Sequence, residues 1–218
     1  MSRASGSYRA QVPGRCSTKR LLDLLLVSLT WPLWLPLLAV IALALKLDGR
    51  TDSVFFGHRR IGLDGEYFTM WKFTSMVSDG DKLLQAYLQN SPQAQAELGR
   101  VHKVRRDPRV TRLGYYLRRY SLDELPQLWN VLRGDMSLVG PRPIAYDHEV
   151  KLWGEHFRLY KLARPGLTGP WGVSGRNELP YEERIRLDSD YVINWSLGQD
   201  LRLLLRTPVA VCTGRGAY

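Results

Sequence analysis

From Leu21 to Leu45 the chain is almost wholly apolar, and Leu24 to Leu45 carries no charge. A helix needs about 20 such residues to cross a bilayer, so this run limits what the remaining chain can build. It is too long for a cleavable signal peptide, and no small-residue cleavage site follows it. Pro32 and Pro36 fall near its centre, where proline breaks or kinks a helix. The preceding tail carries Arg3, Arg9, Arg15, Lys19 and Arg20 without an acid, and Lys46, Arg50, Arg59 and Arg60 follow the run. Positive residues favour the cytoplasmic side of a membrane, and here both flanks are positive. Three arrangements stay open: a re-entrant helix that dips in, bends near Pro36 and returns; a kinked span; or a hairpin in a soluble core. Asp23, just inside the run, is costly in lipid unless Lys19, Arg20 or backbone partners it.

The chain has 218 residues and a formal net charge of +10, which points to an anionic partner: acidic lipid, phosphorylated substrate or nucleic acid. No nucleic-acid-binding motif accompanies the charge, so no nucleic-acid partner is expected. Cys16 and Cys212 lie at opposite ends and fit neither a metal spacing nor a disulfide framework. His58, His102, His148 and His156 form no HxxxH pattern, and no zinc site is expected.

Along the rest of the chain, Ser53–Phe56 reads as a short strand, Gly57–Gly65 as a turn, and Glu66–Phe73 as a second strand by alternation. Helical patterns follow over 80–99, with Pro92 interrupting, and from Asp107. In the latter, Val110, Leu113 and Leu117 share a face, while Tyr115, Tyr116 and Tyr120 add amphipathic rings. Such a helix suits a membrane surface or a soluble core. Further helices are expected over 122–133, 146–162 and 181–196. Leu197–Val211 either lies at an interface or closes the core. The glycine-rich stretch from Arg164 to Asn177 suits close approach of backbone to a phosphate flanked by Arg164 and Arg176, or is a surface loop. It contains no Walker motif.

The segment Ser121–Pro143 carries the strongest chemical signal. Asp123 and Glu124 sit in the first turn of an expected helix, with Arg118 and Arg119 before them and Arg133 and Arg142 after. Ser121-x-x-Glu124 reads as a capping box. It also reads as a site for phosphoryl chemistry, because a helix start among cations attracts phosphate and two acids can supply a nucleophile and a metal ligand. Gly140-Pro-Arg-Pro143 holds Arg142 between rigid prolines. Asp188 and Asp190 are further candidate polar ligands.

The chain resembles the bacterial sugar transferases, the monotopic phosphoglycosyl transferases. The likeness runs from about Lys19 to Tyr218. It rests on Lys19-Arg-Leu-Leu-Asp23, Arg60-x-Gly62, Lys72-Phe-Thr-Ser-Met76, Ser121-Leu-Asp-Glu-Leu-Pro-Gln-Leu-Trp-Asn130, Gly134-Asp-Met-Ser-Leu-Val-Gly-Pro-Arg-Pro143, Arg164-Pro-Gly-Leu-Thr-Gly169 and Gly175-Arg-Asn177. The closing Gly214-Arg-Gly-Ala-Tyr218 is similar to exopolysaccharide and O-antigen initiating enzymes of the undecaprenyl-phosphate hexose-1-phosphate transferase type.

The resemblance implies transfer of a sugar-1-phosphate from a UDP-sugar to polyprenyl phosphate, with Mg²⁺ and release of UMP. It implies Asp123 as nucleophile, through a covalent phosphosugar intermediate, and Glu124 as magnesium ligand. Arg60, Lys72, Arg118, Arg142, Arg164, Arg176 and Asn177 become substrate or phosphate contacts. The re-entrant helix is a feature of the family, its break mapping to Pro36, although Leu35 stands where a small polar residue often precedes that proline. Many relatives have tryptophan directly after the Thr-Gly of the glycine-rich stretch; here Pro170 intervenes before Trp171.

The expected fold is α+β and mainly helical. It comprises a flexible basic tail over 1–18, a re-entrant membrane helix over 19–46, and a cytoplasmic catalytic domain over 47–218. A small β-hairpin and interfacial amphipathic helices complete it. The expected setting is the bacterial inner membrane, with a homodimer common in the family. The chain is expected to be the minimal catalytic version, without the multispan region of some relatives. A non-catalytic, basic peripheral scaffold is the alternative.

Overall fold

The computed structural model describes residues 12–95, 104, 107–145, 147–214 and 216. Most of the expected basic tail lies outside the described residues, as do His102 and part of the closing Gly214–Tyr218 run. The architecture is α+β and mainly helical, as expected, with two small sheets.

Two helices carry the apolar run: α1 (Ser17–Leu29) and α2 (Trp31–Asp48). The interruption falls at Thr30, not at Pro36. Thr30 has left the helical region at φ −93° and ψ 1°, and its hydroxyl donates back to the Leu26 carbonyl at 2.7 Å. Pro32 then occupies the first turn of α2, where a missing N–H is no loss and the fixed φ suits a helix start. Pro36 lies within α2, which continues through it.

Both open ends of this pair pack on the same body. On α1, Lys19, Asp23 and Val27 share a buried face. Asp23 accepts hydrogen bonds from Ser137 Oγ at 2.7 Å and Leu138 N at 3.2 Å, so it is buried in protein rather than facing lipid. Lys19 pairs with Asp200 at 2.6 Å, and both are buried. On α2, Ile41 and Leu45 bury against Phe73 and Leu117. Between these anchors Leu29, Trp31, Leu33, Leu35, Leu37 and Val40 are exposed, Leu33 at 75%. By length and composition α2 can cross a membrane. The tail expected through residue 18 is already docked by residue 13: Pro13 and Gly14 are buried, and Gly14 N donates to the Leu162 carbonyl at 3.1 Å.

Strands β1 (Phe55–Ile61) and β2 (Tyr67–Phe73) form an antiparallel hairpin, from Phe55 opposite Phe73 to Ile61 opposite Tyr67. The first strand thus runs through most of the expected turn. Gly57 is a packing position: a Cβ there would lie 2.8 Å from Thr69 Cγ2 and 3.2 Å from the Trp71 ring. Helix α3 (Gly80–Gln89) agrees with the start of the 80–99 pattern. Helix α4 (Arg112–Arg119) starts later than Asp107, at an N-cap where Thr111 Oγ1 accepts from Gly114 N at 2.8 Å. Upstream, Asp107 instead closes a turn on Arg109.

The expected 122–133 helix is a 3-10 turn, Leu122–Glu124, followed by α5 (Gln127–Arg133). Strand β3 (Ser137–Val139) leads into Gly140–Pro143. The 146–162 helix divides into α6 (Asp147–Trp153) and α7 (Phe157–Tyr160), because Gly154 adopts φ +49° between them. Strand β4 (Gly166–Thr168) pairs with β3 in parallel, and α8 (Pro170–Ser174) follows. The glycine-rich stretch is therefore a strand and short helix, not a loop. Its glycines serve backbone crossing: a Cβ on Gly166 would lie 2.1 Å from Gly140 N. Helices α9 (Tyr181–Ile193) and α10 (Leu197–Thr213) complete the body. α10 closes the core with Asp200 and Leu203 while Leu201, Leu205 and Val209 stay exposed.

The main core joins Val27, Met70, Val131, Met136, Val139, Tyr191 and Leu203. Asn130 pins α5 to β2 inside it. Its carboxamide accepts from Trp71 N at 3.0 Å and donates to Thr69 O at 2.7 Å and to Asp135 Oδ2 at 3.0 Å. It thus replaces the missing neighbour on the free edge of β2. Asn130→Ala leaves the part-buried Trp71 N–H and Thr69 carbonyl without these partners, and the loss is expected at about 2–4 kcal/mol. Unfolding of the detergent-solubilised chain followed by far-UV circular dichroism checks this; a loss under about 1 kcal/mol would show that solvent replaces Asn130.

Candidate active site

Ser121 does not cap a helix. It adopts φ 54°, ψ 22°, and its side chain makes no cap hydrogen bond. Left-handed backbone is uncommon for a non-glycine residue, and here it ends α4 and turns the chain at once into Leu122–Glu124. The Ser121 hydroxyl accepts from Arg176 Nη1 at 3.0 Å. Glu124 does not reach back to complete a capping box; it points to Lys72 and Arg142. The adjacent acids are thus free for chemistry rather than committed to a helix end.

Four elements bring cations to them. Lys72, on β2, lies 2.7 Å from Glu124 Oε1 and 3.8 Å from Asp123 Oδ2. Arg142, after β3, donates to the same Glu124 Oε1 at 3.0 Å. Arg118, on α4, donates to Ser75 Oγ at 2.8 Å and feels the charge of Asp123. Arg176, after α8, is fixed by Ser121 and by the Gly172 carbonyl at 3.2 Å, and feels both acids. Asp123 itself is 8% exposed.

The two acids titrate in opposite directions. Burial pushes Asp123 up, with Glu124 adding to the effect against Lys72, Arg118 and Arg142. Burial opposes ionisation of Glu124 as well, yet Arg142 and Lys72 hold it well below the usual carboxylate range. One acid is a fixed anion; the other is a more basic carboxylate, and a more basic oxygen is the better nucleophile.

Arg142 has its own support, of which the sequence reading found only Asp188, and that as a polar ligand. Asp188 Oδ2 accepts from Arg142 N at 3.1 Å, and Arg184 Nη2 donates to the Arg142 carbonyl at 3.1 Å. Trp171 lies under the Arg142 and Arg184 guanidinium groups at 5.1 and 5.7 Å from its ring centre. The i, i+4 spacing of Arg184 and Asp188 on α9 is the signal that could have found the pair. Asp190 instead pairs with Arg186 on the surface.

Of the expected phosphate contacts, Lys72, Arg118, Arg142 and Arg176 gather at the acids; Arg60, Arg164 and Asn177 do not. Arg60 lies on β1 with Nη2 3.2 Å from His58 Nδ1. Arg164 donates to the Gly134 carbonyl at 2.8 Å and to the Gly14 carbonyl. Asn177 donates to the Gly216 carbonyl at 2.9 Å. Arg164 braces backbone away from the acids. Arg119 and Arg133 also point elsewhere, toward Tyr115 and Asp135 respectively.

A family model described as "Bacterial sugar transferase" matches residues 14–214. The exopolysaccharide production protein ExoY of Rhizobium meliloti (strain 1021) is 46% identical over 201 residues, covering 92% of this chain and 88% of that protein. The undecaprenyl-phosphate galactose phosphotransferase of Salmonella typhimurium is 44% identical over 183 residues, covering 84% of this chain and 38% of that protein. The UDP-glucose:undecaprenyl-phosphate glucose-1-phosphate transferase of Escherichia coli (strain K12) is 37% identical over 208 residues, covering 92% and 41%. The chain thus spans under half the length of the latter two.

Asp188 makes the support of Arg142 sensitive to pH. Burial pushes it up to about 7 against Arg184 and the Arg142 N–H. The folded chain keeps a proton that an unfolded aspartate loses near pH 4. Its stabilising contribution is full below about pH 4 and drains as pH rises to about 7. Asp188→Asn, which mimics the protonated acid, should flatten the stability profile across that window. Thermal unfolding of both chains at pH 4.5–7.5 (roughly the window between the two pKa values) measures this; parallel profiles would mean that Asp188 stays ionised in the fold.

Proposed function

The chain belongs to the bacterial sugar transferase family, and on that premise we propose that it transfers a sugar-1-phosphate from a UDP-sugar to undecaprenyl phosphate, releasing UMP. The carrying observation is the buried Asp123 carboxylate beside Glu124, which Arg142 and Lys72 bond on one oxygen, with Arg118 and Arg176 completing the enclosure. The names of the relatives divide between galactose and glucose, so a UDP-hexose is the proposed donor and exopolysaccharide initiation the proposed setting.

An Asp123 oxygen attacks the sugar-bearing phosphorus of the donor. An Asp–O–P bond forms, the P–O bond to UMP breaks, and UMP leaves with the electron pair. A phosphate oxygen of the lipid then attacks the same phosphorus and expels the Asp123 carboxylate. A carboxylate is a weak nucleophile, so the rate depends on stabilising charge on the phosphoryl oxygens. Arg142 is held for that task by Asp188, Arg184 and Trp171, and Arg176 by Ser121 and Gly172.

Magnesium fits this donor set. Both cations on Glu124 use Oε1, which leaves Oε2 to hold the ion. Among the described residues there is no cluster of three or more metal-binding side chains, and Mg²⁺ typically takes one or two carboxylates with substrate phosphates completing its shell. When bound, it would neutralise charge on the diphosphate.

The apolar pair α1–α2 is the proposed membrane anchor, entering and returning on one side so that the catalytic body faces the cytoplasm. Burial of Lys19 and Asp23 at one end and of Ile41 and Leu45 at the other, on a single body, supports this over a span.

Two experiments test the reading. Asp123→Asn should lower transfer of labelled sugar phosphate to undecaprenyl phosphate by about a thousandfold or more. Wild-type chain given donor without acceptor should gain the mass of a hexose phosphate, mapped to Asp123. Near-normal turnover by the variant, or no adduct in an active preparation, removes the nucleophile. For topology, Ser17→Cys and Asp52→Cys in a chain with Cys16 and Cys212 replaced by serine should both resist an impermeant maleimide in spheroplasts and both react after lysis. Labelling on opposite sides would make the pair a span.

A further inference from the structure

Beside the root of α1 lies an open cavity of about 630 Å³ that the catalytic site does not use. Arg15, Arg20 and Arg164 line it together with Leu21, Leu24, Leu63 and one acid, Asp64. Arg20 and Arg164 converge on the turn at Gly134: Arg164 Nε donates to the Gly134 carbonyl, and Arg20 Nη2 lies 3.4 Å from where a Gly134 Cβ would stand. The two charges repel, since Arg20 lowers the proton affinity of Arg164.

Among the described residues no carboxylate bonds to either guanidinium. Arg20 donates to the Val131 and Leu132 carbonyls, and Arg164 to those of Gly134 and Gly14. The nearby acids are engaged elsewhere: Asp64 takes both bonds of Arg15 at 3.0 and 3.1 Å, and Asp23 takes Ser137 and Leu138. Among the described residues, Arg20 Nε and Arg164 Nη2 meet no acceptor. Two adjacent guanidinium groups bonded to carbonyls, with Asp23 and Asp64 acting on Arg164 only through their charge, favour an anion, and their planar forks match phosphate.

The apolar side of the cavity says which anion. Leu21 lines it and begins a stripe with Leu25 and Leu29, exposed at 64%, 49% and 69%, that climbs α1 toward the helix break. We propose that this cavity binds the phosphate of an anionic glycerophospholipid, with an acyl chain lying along Leu21, Leu25 and Leu29. The inference rests on the reading of α1–α2 as a membrane anchor. The bound lipid neutralises the Arg20–Arg164 pair and ties α1 to the turn after α5, setting the depth at which the body rides on the membrane. The site is separate from that of the reacting lipid, because neither arginine reaches Asp123 or Glu124.

Native mass spectrometry of the full chain in detergent micelles tests this with three probes: phosphatidylglycerol, phosphatidylcholine and inorganic phosphate. One phosphatidylglycerol per chain should bind about tenfold more tightly than phosphatidylcholine. Arg164→Gln should remove that preference. Leu21→Glu, an exposed substitution that leaves the core intact, should do so independently if Arg164→Gln fails to fold. Equal binding of the two lipids, or a preference that survives Leu21→Glu, overturns the proposal. Inorganic phosphate that displaces phosphatidylglycerol at equal concentration overturns the lipid assignment in favour of a free-phosphate site. Flotation of wild-type chain on phosphatidylcholine vesicles separates the two readings. A chain that floats without preferring phosphatidylglycerol refutes this site alone, whereas one that fails to float refutes the anchor.

Discussion

Burying two neighbouring carboxylates is the problem around which this fold is arranged. A single ionised acid removed from water is expensive, and two side by side repel as well. The chain solves it by drawing cations from four separate elements, so that β2, α4, the segment after β3 and the segment after α8 must all be in place at once. Lys72 and Arg142 meet on one oxygen of Glu124; Arg118 and Arg176 stand behind Ser75 and Ser121. Any one of these, removed, takes a counter-charge from a buried carboxylate and breaks a contact between elements. The site is therefore also a tertiary lock.

The same arrangement explains why so little regular structure surrounds the acids. A long α-helix through 122–133 would carry Asp123 and Glu124 about 100° apart around one axis and tie Ser121 to a cap. The left-handed Ser121 and the 3-10 turn place both carboxylates where cations reach them, and Pro126 restarts the helix below. The strain of a non-glycine residue at positive φ is offset by the Arg176 bond to its hydroxyl.

Much of this was legible in the sequence, and the misses have physical causes. The apolar run, the hairpin, the acid pair, Arg118 and Arg142 follow from patterning and charge, whereas Lys72 and Arg176 join the acids through what the family resemblance implies. The helix break does not, because Pro32 and Pro36 look alike in one dimension; only the first-turn position of Pro32 and the back-bonding of Thr30 choose between them. Ser121-x-x-Glu124 reads as a capping box because local spacing cannot reveal that Lys72 and Arg142 outcompete a backbone N–H for the glutamate. The glycines beside Arg164 read as a phosphate cradle, whereas in the fold they let β4 cross β3 closely. Asn130 was invisible as a determinant because its main partners are distant backbone atoms.

Charge accounting at the site connects structure to chemistry. Two acids face four cations, two of which share Oε1 of Glu124. The surplus is positive, and it is fixed in position before any ligand arrives: Arg142 through Asp188, Arg184 and Trp171, and Arg176 through Ser121 and Gly172. A dianionic diphosphate matches that surplus without reorganisation, which is the condition under which electrostatic stabilisation is most effective. The raised proton affinity of Asp123 is then an advantage rather than a burden. Arrival of phosphate adds negative charge and would raise it further, but a cation on Glu124 Oε2 acts in the opposite sense. A metal held there would keep Asp123 ionised at the moment its oxygen must attack.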